Sequence, residues 1–189
     1  MRKLDKILIV DVESTCWKDD GQRPSGEVSE IIEIGLTEVD LDLLTIGKAE
    51  SILVKPVRSK VSAFCTELTT LTQEDADLGI SFEAACSFLR KKFKSHERTW
   101  ASWGDYDRNM FVTQCNDMRV PYPFGPRHIN LKNTFSVFEN LARELGMPKA
   151  LKEIGATLTG THHRGHDDAA NIAKIFVYMA ETYRRDPNL

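Results

Sequence analysis

Long hydrophobic runs are scarce at the start of this chain. Its basic opening, Met1-Arg2-Lys3, leads only to the four apolar residues Ile7 to Val10 before acids intervene. A bilayer crossing needs about 20 apolar residues and a secretory signal needs a longer apolar core than this, so neither is expected. An excess of charge of one sign is lacking as well: 25 basic against 28 acidic residues leave a formal net charge of -3. Bulk attraction to a polyanion is thereby excluded, and a nucleic-acid partner must be held by a local basic face or through metal ions. Cysteine is sparse, and Cys16, Cys65, Cys86 and Cys115 form no CxxC pair. A short disulfide framework is excluded, and reduced thiols in a cytoplasmic protein are the expectation. With no repeat, low-complexity tract or linker, residues 1–189 read as one domain, long enough to bury a substantial core.

What is present alternates between strand and helix patterns. Lys6 to Val12 reads as a buried strand, because Ile7, Leu8, Ile9 and Val10 are continuous and β-rich. Gly, Pro, Asp and Ser crowd the stretch from Asp19 to Gly26, which marks a loop. Ile31 to Val39 and Lys48 to Val54 resume strand patterns around a turn at Asp40 to Gly47, giving an antiparallel meander. A short acidic helix then opens at Thr72. Ser81 caps another, with Phe82, Ala85, Cys86, Leu89 and Phe93 on one stripe. Thr99 to Trp103 is a short strand, and Asp107 begins a helix to about Met118. Beyond the break at Pro121 to Pro126, a strand near His128 to Leu131 precedes helices over Thr134 to Leu145, Lys149 to Leu158 and Asp167 to Arg184. Three strands followed by alternating helices and strands predict a mixed α/β sheet flanked by helices.

Three clusters carry the chemistry. Asp11 and Glu13 close the first strand two residues apart, and side chains at that spacing share one face. Alone, such a pair is equally a polar strand end before a turn. Asp107 follows Trp103-Gly104-Asp105-Tyr106 where a strand passes into a helix; there Asp105 suits an N-cap and Asp107 a first-turn acid. His162-His163-Arg164-Gly165-His166-Asp167-Asp168 precedes the last helix, with Asp167 a natural cap and Asp168 in the first turn. A zinc site from His162, His163 and His166 is the rival reading, although the spacing fits no usual zinc module. The basic run Arg90-Lys91-Lys92-Phe93-Lys94, with His96 and Arg98, reads as a solvated helix end or as a substrate contact.

Jointly these clusters are specific. Asp11-Val12-Glu13-Ser14-Thr15, Gly104-Asp105-Tyr106-Asp107 and His163-Arg164-Gly165-His166-Asp167-Asp168-Ala169 stand in the order found in the DEDDh family of 3′–5′ exonucleases. Phe64-Cys65-Thr66-Glu67-Leu68-Thr69-Thr70-Leu71-Thr72 and Asp168-Ala169-Ala170-Asn171-Ile172-Ala173 resemble the enhanced-RNAi and histone-mRNA exonuclease branch. The resemblance covers residues 5 to 182, without the SAP-type RNA-binding extension of some relatives.

The resemblance implies an RNase H-like fold, a mixed five-stranded sheet with three antiparallel strands plus parallel ones. It also implies two Mg²⁺ or Mn²⁺ ions held by Asp11, Glu13, Asp107 and Asp168, with His163 as general base. Phe64 and Tyr106 match the positions that hold the terminal base, Ser14 and Thr15 those near the terminal sugar, and Leu71 a wedge against the next base. His166 is expected to face solvent or substrate and His162 to be structural. The implied substrate is single-stranded RNA or short oligonucleotides cut from the 3′ end, with nucleoside 5′-monophosphate as product. A DNA-directed exonuclease and a catalytically silent nucleic-acid-binding regulator are the alternatives. No exposed apolar stripe obliges a dimer, so a monomer is expected.

Overall fold

The computed structural model describes residues 4–185. Five strands form one sheet: β1 (Lys6–Ser14), β2 (Ile31–Asp40), β3 (Glu50–Leu53), β4 (Thr99–Ser102) and β5 (His128–Asn130), in the order β3-β2-β1-β4-β5. β1, β2 and β3 pair antiparallel, while β4 and β5 join β1 in parallel. This is the expected mixed sheet. The helices are α1 (Ala63–Thr69), α2 (Gln73–Asp77), α3 (Phe82–Lys92), α4 (Tyr106–Met118), α5 (Leu131–Phe138), α6 (Met147–Glu153) and α7 (Gly165–Arg185), with a 3-10 turn at Asp20–Gln22.

The two-residue period of β1 sorts its side chains into two cores. Leu8, Val10 and Val12 pack with Phe82, Leu89, Trp100, Phe111 and Phe124 beneath α3 and α4. Ile7 and Ile9 face the other way, onto Leu131, Phe135, Leu151, Ile172 and Ile175 of α5, α6 and α7. Asp11 and Glu13 continue this second face, so the strand that seeds the core delivers its last two odd-numbered side chains beside α7.

Several boundaries differ from the sequence reading. α1 was not anticipated; Ser62 caps it by accepting from the Cys65 N–H at 3.0 Å. α5 begins three residues earlier than expected, because Asn130 caps it by accepting from the Asn133 N–H at 2.9 Å, and it stops at Phe138. α6 starts at Met147, where Pro148 suits a first helical turn, and ends before Gly155 at φ 72°. α7 starts at Gly165, so Asp167 lies inside the helix and not at its cap.

One close approach sets the site. Gly35 on β2 lies opposite Asp11 in the ladder, and a Cβ there would come within 1.8 Å of the Gly165 carbonyl carbon. A Cβ on Gly165 would in turn meet the Asp11 carbonyl oxygen at 3.0 Å. Two glycines thus let the start of α7 rest directly on the sheet beside Asp11.

Candidate active site

The acids converge at the end of β1. A cleft of about 380 Å³ is lined by Asp11, Glu13, Asp107, Asp168, His162 and His163, with Ser14, Cys16, Leu68, Trp103, Tyr106, Met147 and Pro148 around them. Carboxylate oxygens of Asp11, Glu13 and Asp168 lie within 4.8 Å of one another. Asp107, in the first turn of α4, is buried, and its Oδ1 accepts from the Val12 N–H at 2.8 Å. That bond ties α4 to the strand carrying the other two acids.

Electrostatically the cluster is uncompensated. Burial, then Asp107, Glu13 and Asp168, push the Asp11 carboxyl well above the usual carboxylate range. Glu13 is pushed up to about 8 by burial and by Asp168 and Glu33. Asp107 rises to about 6 through burial, opposed by its bond from Val12, and Asp168 also rises through burial despite the His163 N–H that it accepts. Crowded acids of this kind need an outside cation. Their donor set is all oxygen, which fits hard ions such as Mg²⁺ or Mn²⁺, so the residues present fit the implied metals.

His163 has a left-handed backbone at φ 65°, and its N–H donates to Asp168 Oδ2 at 3.0 Å. Burial and the neighbouring His162 lower the pKa of its ring, leaving it neutral near pH 7 and able to accept a proton. Tyr106 keeps an exposed ring in the cleft while its hydroxyl and Ser14 Oγ share a hydrogen bond of 2.6 Å.

Residues 8–176 match the exonuclease family. The chain belongs to that family. Its exonuclease domain is similar to 3′-5′ exoribonuclease 1 of Rattus norvegicus, with 30% identity over 94% of this chain and 53% of that protein. The chain therefore spans about half the length of that relative. The probable 3′-5′ exonuclease KapD of Bacillus subtilis is 29% identical over 91% of this chain and 83% of its own length. Among solved structures, the nuclease domain of 3′hExo, a DEDDh family member bound to rAMP, superposes with a TM-score of 0.84 at 28% identity, covering 94% of this chain and 92% of that one.

Within this exonuclease domain some expected contacts are not formed. Leu71 is 2% exposed and packs with Ile32, Cys65 and Ala76, so it is a core residue and not a wedge in the cleft. Thr15 is buried; its N–H donates to the Glu30 carbonyl, and its hydroxyl donates to the Val28 carbonyl and accepts from the Glu30 N–H. It braces the loop between β1 and β2, with neither group left for a sugar. Phe64 is half-buried on α1, one turn before Leu68, which does line the cleft. His166 turns to Glu33 at 2.9 Å, so the His162, His163, His166 zinc trio does not assemble. His162, for which the sequence suggests only a structural role, lines the cleft with Nδ1 2.9 Å from Asp168 Oδ2. Asp167 accepts from the Thr161 N–H at 2.8 Å, and Asp105, at the N-cap of α4, makes no cap bond but accepts from Asn130 at 2.9 Å. Of the basic run, Lys92 pairs with Glu50 at 2.9 Å and Arg90 donates to the Tyr122 carbonyl at 3.1 Å; the run does not line the cleft.

Sequence reasoning missed Glu33. This fully buried residue stands opposite Glu13 on β2 and accepts from Arg164 Nε at 3.1 Å, the Gly165 N–H at 3.0 Å, His166 Nδ1 at 2.9 Å and Ser51 Oγ at 2.5 Å. Despite burial, those donors hold its carboxyl below the usual range. Glu33 thereby pins the loop that carries His163. Its only sequence signal is a lone acid inside the apolar run Ile31-Ile32-Glu33-Ile34.

Proposed function

We propose that this chain is a 3′–5′ exonuclease acting on single-stranded RNA or short oligonucleotides, with two Mg²⁺ or Mn²⁺ ions held by Asp11, Glu13, Asp107 and Asp168. The observation that carries the reading is the convergence of four uncompensated carboxylates beside a neutral histidine in one open cleft. Bound there, two such ions supply charge neutralisation for the scissile phosphate and acidify the attacking water.

The chain's own residues do the rest. His163 takes the proton from the attacking water at a ring nitrogen. The water oxygen joins phosphorus, the bond to O3′ breaks, and O3′ keeps the electron pair and gains a proton from solvent. A nucleoside 5′-monophosphate leaves. Tyr106 presents a ring face for the terminal base, with Leu68 beside it in the cleft, an interaction indifferent to base identity and contributing about 1–3 kcal/mol per base. The Ser14 hydroxyl, released from Tyr106, is available to the terminal sugar. RNA is favoured over DNA because the relative at 30% identity is an exoribonuclease and the superposed 3′hExo nuclease domain holds rAMP. A monomer in the cytoplasm completes the proposal; four free thiols suit that compartment.

The test is a gel time course on 5′-labelled RNA and matched DNA with Mg²⁺, Mn²⁺ or EDTA. Metal-dependent shortening from the 3′ end is expected, faster on RNA; binding without cleavage in either metal would favour the silent regulator. His163→Ala is expected to lower kcat by about 10²–10⁴ with KM little changed. Equal losses in both constants would remove His163 as the base.

A further inference from the structure

Cysteine is sparse in this chain, yet its thiols stand in two pairs. Cys86 on α3 and Cys115 on α4 are both buried and hydrogen-bond one another in the core beneath those helices. The Cys16 and Cys65 thiols also hydrogen-bond one another, in a different setting. Cys16 is half-buried and lines the cleft. Cys65, on α1, is buried with Ile32, Leu71 and Ala76 in the small cluster against which Cys16 packs. Ser62 ties the two backbones together: its hydroxyl donates to the Cys16 carbonyl at 2.6 Å and accepts from the Cys65 N–H at 3.0 Å. Cys65 Sγ in turn donates to the Ser14 carbonyl at 3.4 Å. This pair therefore joins the end of β1 to α1, with one sulfur enclosed and the other reached from the cleft. None of the hydrolytic steps uses it.

We propose that Cys16 and Cys65 form an oxidative modification site, at which hydrogen peroxide makes a disulfide that slows the nuclease and a thiol reductant restores it. Peroxide enters the cleft and meets Cys16. The Cys16 sulfur takes one peroxide oxygen, the O–O bond breaks, and a sulfenic acid and water form. The Cys65 sulfur then attacks the Cys16 sulfur; the S–O bond breaks, and the departing hydroxide leaves as water with the Cys65 proton. Two thiols have then given two electrons and two protons to the peroxide. The bond from Cys16, against the opposing effect of burial, holds the Cys65 thiol below its usual range, which suits it to that attack. The cross-link removes the proton that Cys65 gives to Ser14 and fastens α1, whose Leu68 lines the cleft, to the strand end beside Glu13. A shift of about an ångström in such a wall is enough to misplace a substrate. The loss of activity rests on the nuclease reading; the disulfide does not.

The test treats the full chain, reduced and then freed of reductant, with hydrogen peroxide. It reads the intact mass, the peptides released without reduction, and the rate on 5′-labelled RNA in Mg²⁺. Wild type is expected to lose about 2 Da and to fall about tenfold in kcat/KM, with dithiothreitol restoring both. Its peptide map should show Cys16 joined to Cys65, with Cys86 and Cys115 still reduced. Cys16→Ser should form no cross-link and should keep its own untreated rate after peroxide. Cys65→Ala should stop at a Cys16 sulfenic acid, about 16 Da heavier and trapped by dimedone. A Cys86–Cys115 disulfide, or higher acids of Cys16 in wild type with no cross-link, would overturn the site. Equal loss of rate in wild type and Cys16→Ser would overturn the switch, as would a Cys16–Cys65 cross-link that leaves the rate unchanged. The same cross-link in a protein that degrades no nucleic acid supports the site and overturns only the nuclease reading.

Discussion

The two ends of β1 handle charge in opposite ways. At its start, Arg98 donates to Asp5 at 2.7 Å and to Glu38 at 2.7 Å, and Lys6 reaches Glu38 at 2.9 Å. The Arg98 bond holds the Asp5 carboxyl below its usual range. About 20 Å along the strand, at ~3.3 Å per residue, Asp11 and Glu13 face Asp107 and Asp168 with their carboxyls pushed upward. One end is neutralised from within; the other waits for charge from outside. An acid cluster becomes a site where the fold declines to supply its counter-charge.

The sharpest break of that contrast is Asp11→Asn. Removing one ligand and one repelling charge should abolish turnover and at the same time raise the melting temperature of the metal-free protein. The stabilisation that Mg²⁺ or Mn²⁺ gives wild type, read by thermal melts with and without EDTA, should largely vanish. Turnover retained in Mg²⁺ would take Asp11 out of the site. A lower metal-free melting temperature would show that its charge is compensated after all.

The next effect is on pH. Glu13 has an ordinary carboxyl near 4.5 when unfolded and is pushed up to about 8 when folded. Between those values the folded state holds the extra proton, so metal-free stability should fall as pH rises from about 4.5 to about 8. Asp5, shifted downward, works in the opposite sense: its contribution is present above its unfolded pKa and is lost as pH falls through the folded one. Urea melts of the metal-free protein across this range test the sign, and saturating Mg²⁺ should flatten the decline. Stability that climbs through the same window would contradict an uncompensated cluster.

How much of this could be read in advance follows the same division. Asp11 and Glu13 were legible because a strand's two-residue period fixes which side chains share a face. Asp168 was legible because a turn into a helix fixes its first-turn acids. The mixed character of the sheet followed from three strand patterns preceding the alternation of helices and strands. Glu33 was not legible, because its donors Ser51, Arg164 and His166 come from segments far apart in sequence. Leu71 and Thr15 were misjudged for a related reason: whether a side chain on a loop faces a cleft or a core depends on what packs above it. The Gly35 and Gly165 contact that seats α7 is likewise invisible until two elements distant in sequence meet.

The smallest expected effect comes from the compensated end. The Arg98 side chain is 9% exposed and also donates to the Phe93 carbonyl at 2.8 Å, so Arg98→Ala leaves that main-chain acceptor unpaired and Glu38 with Lys6 alone, while Asp5 turns to water. Hydrogen bonds to charged groups contribute about 1.5–3 kcal/mol each, but solvent at Asp5 offsets part of the loss. A net cost of about 2 kcal/mol is expected, or roughly 4–8 °C in Tm for a domain of this size. Turnover measured well below the melting temperature should stay near wild type, since this ion pair lies at the far end of the strand from Asp11. If Arg98→Ala instead cut kcat strongly without lowering Tm, the two ends of β1 would be coupled. The division between an internally neutralised end and a metal-requiring end would then fail.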